Sequence, residues 1–113
     1  MACNWIGTPV VSMAESVMHV AAIFFDLHFP ESHSLKDKRG ALKPMVEGVR
    51  RRFNVAAAEV EHQNLWQRAG VGMAVVSATP GHAEDIIDEV ERFVWSFPEA
   101  EVLEAHRSWM EFD

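Results

Sequence analysis

With 113 residues, 49% of them hydrophobic, the chain can bury one small core and is too apolar to stay unfolded. Its single cysteine, Cys3, excludes an intrachain disulfide and a multi-cysteine zinc site, and fits a reducing, cytoplasmic setting. The net charge of −7 argues against indiscriminate coating of nucleic acid. No apolar run reaches the roughly 18 residues of a membrane span, and no basic region precedes an apolar one at the N-terminus, as a secretory signal requires.

Residues 1–16 mix Gly7, Thr8, Pro9 and Ser12 with scattered apolar residues and show no period. They read as a mobile N-terminal extension, with Met13 and Met18 standing as alternative start sites to Met1. The folded part is expected over 17–113 as a single domain.

Val17 to Phe29 reads as the first strand: Ile23, Phe25, Leu27 and Phe29 alternate with Phe24, Asp26 and His28. Pro30 ends it. Ser34 is the expected N-cap of a helix over Leu35 to Phe53, with Asp37 three residues on as a shortened capping-box acid. At roughly 100° per residue, Leu35, Leu42, Met45, Val46, Val49 and Phe53 share one side. Lys36, Arg39, Lys43 and Arg50 fall in a sector beside it. Lys38 falls inside the apolar arc, so it must snorkel or meet an acid. Pro44, on the solvent side, is expected to kink or interrupt the helix.

Val55 to Glu61 and Trp66 to Ala78 read as a hairpin. Gly70, Gly72 and Ala74 make one side of its second strand small. Thr79-Pro80 opens a second helix with a threonine N-cap and proline in the first turn, and Pro98 stops it. Its outer face is acidic, with Glu84, Asp85, Asp88, Glu89 and Glu91. Glu101 to Trp109 is the fourth strand, with fraying expected beyond. The order β-α-β-β-α-β, two helices on one face of a four-stranded antiparallel sheet, predicts an α+β ferredoxin-like sandwich. Right-handed crossovers put the first and third strands in its centre.

Charge is unevenly placed. Residues 34–54 hold seven basic side chains against Asp37 and Glu47, a balance of +5. The rest of the chain holds three basic against fifteen acidic, a balance of −12. One face can therefore meet an anion while others repel it.

The run Asp26-Leu27-His28-Phe29-Pro30, then Ser32-His33-Ser34-Leu35-Lys36-Asp37-Lys38-Arg39, resembles the YlxP-like family of small bacterial proteins of unknown function. So do Arg52-Phe53-Asn54-Val55, Ala58-Glu59-Val60 and Leu65-Trp66-Gln67-Arg68-Ala69. The similarity runs from about Met18 to about Arg107. It implies the same ferredoxin-like fold. The family's gene neighbours, translation initiation factor two and a ribosome-binding factor, suggest a link to ribosomes. The sequence departs from the family by its front extension, and by Phe24 where many relatives carry a charged residue.

Three functional readings follow. In the first, RNA or a ribosomal subunit docks on Ser34, Lys36, Arg39, Lys43, Arg50, Arg51 and Arg68, through phosphates and the helix N-terminus. No paired aromatic platform for base stacking accompanies them. In the second, Phe24, Gly72, Ala74 and Val76 form a homodimer face, and the chain is a protein-interaction module without nucleic-acid binding. In the third, Asp26, His28, His33, Lys38, Glu59 and Arg68 converge near the start of the first helix as an acid–base site. The reading preferred to an enzyme is a structural network in which Glu59 or Asp26 neutralises Lys38 or Arg68. No glycine-rich phosphate loop and no cofactor motif is present, and six histidines without an i, i+4 pair or a cysteine partner point to no metal.

Overall fold

The computed structural model describes residues 18–112. The expected mobile extension over 1–16, and Val17 as the opening residue of the first strand, lie outside the described residues. The elements are β1 (Met18–His28), α1 (Leu35–Phe53), β2 (Ala56–Glu61), β3 (Arg68–Ser77), α2 (Pro80–Trp95) and β4 (Glu101–Phe112). They form one antiparallel sheet in the order β2-β3-β1-β4, with both helices on one face. This is the ferredoxin-like sandwich, with β1 and β3 central.

Period-two alternation explains the layering. Ala21, Ile23, Phe25 and Leu27 of β1 and Ala69, Val71, Met73 and Val75 of β3 are buried toward the helices. Leu42, Met45 and Val49 of α1 and Ala83, Ile87, Val90 and Val94 of α2 close the core from above. The opposite face, which we call the open face, carries Val20, Ala22, Phe24, Asp26 and His28 from β1 and Gly70, Gly72, Ala74 and Val76 from β3. α1 lies over β2, and α2 over β1 and β3.

The caps behave as their residues dictate. Ser34 Oγ accepts the Asp37 backbone N–H at 3.0 Å, while Asp37 Oδ2 accepts the His33 N–H at 3.0 Å. Asn54 ends α1 in the left-handed region (φ 55, ψ 47), which a short polar side chain tolerates. Thr79 Oγ1 accepts the His82 N–H at the start of α2.

Three expectations need correction. Pro44 neither stops nor divides α1, which runs unbroken from Leu35 to Phe53. Pro44 and Gly40, the residue whose carbonyl loses its donor, both lie on the exposed side of the helix. β3 begins at Arg68 rather than Trp66, because Gln67 is held in the loop: its side-chain amide donates to the carbonyls of Pro30 and Ser32. β4 does not fray after Trp109 but continues to Phe112, which pairs with Met18.

Gly70 marks a close approach on the open face. A Cβ there would lie 2.7 Å from Glu61 Cβ and 3.0 Å from two ring carbons of Phe24. Gly70→Ala is therefore expected to destabilise the protein by about 1–3 kcal/mol through overpacking. Denaturant unfolding of the single variant and of Gly70→Ala with Phe24→Leu measures it. The second change should recover part of the loss.

Candidate functional site

Lys38 is the most constrained polar side chain among the described residues. The apolar arc of α1 carries it under the sheet end, where it is wholly buried. Its ammonium meets Glu59 Oε2 at 2.8 Å and the carbonyls of His62 at 2.8 Å, Arg68 at 3.1 Å and Gln63 at 3.2 Å. A buried charge persists only where its protons are all taken up, and here four oxygens serve three N–H bonds. Glu59 faces the helices because β2 is still in phase with β3 there; the register shift between Glu59 and Glu61 comes afterwards.

Arg68 works on both sides of the sheet. Its carbonyl accepts from Lys38, while its guanidinium grips Asp26 with two short bonds, 2.8 Å to Oδ1 and 2.7 Å to Oδ2, on the open face. Beside it, His28 Nδ1 lies 2.8 Å from Glu101 Oε1. His33 is exposed and contributes its backbone N–H to the cap.

The residues considered for acid–base chemistry are thus divided. Lys38 and Glu59 are under the helices, Asp26, His28 and Arg68 are across the sheet, and His33 is in the β1–α1 loop. The sheet itself stands between the two pairs, so no reacting group could touch both. The structural alternative accounts for each ion pair: Glu59 with Lys38, Asp26 with Arg68. The oxygens of His62 and Gln63 and the amide of Gln67 were not singled out from sequence. The signal that pointed at them was a lysine inside an apolar arc, which required partners without naming them. Among the described residues no group of three His, Cys, Asp or Glu side chains is placed to hold a metal ion, and no helix is long and apolar enough to cross a membrane.

The basic residues sort by what they touch. Lys38, Arg68 and Arg107 pair with carboxylates. The hydrogen bond that Arg107 donates to Glu91 pushes its pKa up most; burial opposes this, and the hydrogen bond to Asp88 adds a smaller rise. Arg50 gives Nε and Nη2 to the Ala57 carbonyl at 3.1 and 2.6 Å, on the outer edge of β2. Arg52 lies over the rings of Phe53 and Phe93, 5.6 and 5.1 Å from their centroids. Lys36, Arg39, Lys43 and Arg51 on α1 are exposed, and among the described residues no carboxylate lies within ion-pair distance of them. Lys36, Arg39 and Lys43 follow one flank of the helix, the flank from which Arg50 reaches β2. Glu47 shares it.

On the open face, a shallow groove of about 400 Å³ runs over Ala22, Phe24, Ala56, Ala58, Gly72 and Ala74. Val60 and Val76 rise beside it, 50% and 62% exposed.

Residues 20–107 match the family described as Protein of unknown function (DUF503). The uncharacterized protein YlxP of Bacillus subtilis strain 168 is 37% identical over 79 residues, which make up 70% of this chain and 86% of that protein. Among solved structures, a dimeric ferredoxin-like protein from an uncultured marine organism aligns with a TM-score of 0.45 at 12% identity, covering 88% of this chain and 90% of that one. At that distance nothing about its assembly carries over.

The Lys38 clasp has a measurable consequence. Lys38→Met keeps the apolar stem but leaves Glu59 and three carbonyls without their donor, and is expected to lower stability by about 3–5 kcal/mol. Lys38→Met with Glu59→Gln should lose less, because the uncompensated charge is gone. Urea unfolding of the two variants beside the parent gives the difference.

Proposed function

The chain belongs to the family of proteins of unknown function DUF503, and we propose that it is a non-catalytic binding protein that docks a polyanion, RNA or the RNA of a ribosomal subunit, along the basic flank of α1. One observation carries this reading. Lys36, Arg39 and Lys43 stand in line, with Arg51 beside them, and none has an ion-pair partner among the described residues, whereas Lys38, Arg68 and Arg107 are all paired. Cations left free along one flank of an otherwise anionic chain repel one another and gain from a bound line of phosphates.

Such contacts fix position and orientation without reading sequence. The contact is made by side chains rather than by the helix N-terminus, where Ser34 and Asp37 oxygens already occupy backbone donors. Arg50 and Arg68, held by the Ala57 carbonyl and by Asp26, serve at most as neighbours that add to the local potential.

A second reading is a homo-oligomeric interaction module that binds no nucleic acid. The uncovered apolar groove around Phe24 favours it. A chain that self-associates and ignores RNA at low salt would select it.

The test is titration of a fluorescent single-stranded RNA at several salt concentrations. Three phosphate contacts give a log–log salt slope of about −2. Lys36→Glu with Arg39→Glu and Lys43→Glu should abolish binding while leaving the unfolding midpoint close to the parent's, since none of the three side chains has an internal partner. Equal binding by parent and triple variant, or none at low salt, would overturn the reading.

A further inference from the structure

The two edges of the sheet are treated differently. β2 spans 6 residues, and Arg50 covers its outer Ala57 carbonyl. β4 spans 12 residues and pairs only with β1 among the described residues. From Leu103 to Glu111 every one of its residues is exposed, on the helix side as well as the open side. Leu103, Trp109 and Met110 are 49%, 48% and 54% exposed. A long edge with unpaired backbone groups and apolar side chains on both faces is a template for another strand, unless charge, proline or a bulge protects it. β4 has two such devices, the charged side chains of Glu101, Glu104, Arg107 and Glu111, and a bulge. Its register against β1 shifts between Asp26 and Leu27, so Leu103 is the extra residue of a bulge. From Glu104 to Phe112 the strand is regular.

We propose that β4 is a homodimer edge, where a second copy of the chain adds its own β4 antiparallel across a two-fold axis at Ser108, joining the two sheets into one. This proposal is independent of polyanion binding. It commits to a second copy because the strand is complementary to itself in this register. With Ser108 on the axis, Arg107 faces Trp109 of the other copy, a cation over an aromatic. His106 then faces Met110, Ala105 faces Glu111, and Glu104 faces Phe112. No like charges oppose each other, and all of the bulge-free stretch is used.

The neighbouring registers are worse. An axis at His106 sets Glu101 against Glu111 and runs the ladder into the bulge. One at Arg107 sets that arginine against its copy, and directly opposed like charges destabilise a pair. One at Trp109 sets Arg107 against Glu111, an acceptable pair, but among the described residues its ladder shrinks to 106–112. The open-face groove is the weaker surface for a second copy, because two concave faces laid together leave a void.

The experiment uses the full chain in a Cys3→Ser background. Ser108→Cys places two thiols on the axis, with Cα atoms about 4.5–5.5 Å apart, within disulfide reach. Under mild oxidation it should convert to a covalent dimer, while Glu89→Cys, on the outer face of α2, stays a single chain. Light scattering of the reduced parent should give twice the 12.7 kDa chain mass, falling to 12.7 kDa in Ser108→Lys with an unchanged circular dichroism spectrum. A parent that is monomeric at high concentration overturns the proposal, including the case in which residues 1–17 of its own chain protect β4 from amide exchange. So does a dimer that Ser108→Lys leaves intact, which would place the contact on the open face.

Discussion

A single ammonium group holds the sandwich in register. The Lys38 charge is too deep to be hydrated, so it is tolerable only where oxygens replace water on every N–H. Those oxygens come from the β2 side chain Glu59, from the turn at His62 and Gln63, and from the first residue of β3. Their common point exists only when α1 lies over the hairpin at one height and one rotation. An apolar residue at this position could slide along the sheet with little penalty; a charged one cannot. The same end of the molecule is tied a second time, by the Gln67 amide to the carbonyls of Pro30 and Ser32 and by the Phe29 N–H to the Gln67 carbonyl. The two loops flanking α1 and the hairpin thus form one hydrogen-bonded block.

Arg68 extends that block through the sheet. Its carbonyl belongs to the Lys38 site and its guanidinium to Asp26 on the other face. A network with the residue types of a catalytic cluster is therefore two ion pairs back to back, each neutral, with a β-strand between them. What such pairs supply is location. A buried pair often adds little net stability over an apolar isostere, and is strongly destabilising when broken. The free cations elsewhere on α1 have the opposite character. They contribute nothing to the block.

Much of this was legible in the residues. Alternation in β1 and β3 and the apolar arc of α1 gave the faces, because burial on one side of a sheet leaves a period of two and burial of a helix stripe a period of 3.6. The misfit of Lys38 in that arc announced a buried partner, and Glu59 was among the acids considered. What could not be read was carried by backbone. The carbonyls of His62, Gln63 and Arg68 have no side-chain signature, and the positive φ of His62 is a conformation that histidine tolerates without announcing it. Pro44 was expected to kink or interrupt α1, and the helix continues through it; the proline and Gly40, whose carbonyl loses its donor, are both exposed, so water can take the freed carbonyl. Arg50 read as part of the basic stripe because its angle places it there. Only the nearness of the β2 edge turns it inward onto Ala57.

That last contact bears on how the fold meets other molecules. An open four-stranded sheet has two edges, and each presents unpaired backbone groups to any strand nearby. Here the β2 edge is short, overhung by α1, and has the Ala57 carbonyl taken by Arg50. A strand approaching it meets cations from Lys36, Arg39 and Lys43 on the same side. β4 is twice as long, has α2 tied to it through Arg107, and displays Trp109 and Met110 instead of lysines. Lys36, Arg39 and Lys43 thus stand over the closed edge, while Trp109 and Met110 stand on the open one beside Arg107 and three glutamates. On the two proposals made above, the two flanks serve different classes of partner, and a molecule bound at one leaves the other accessible.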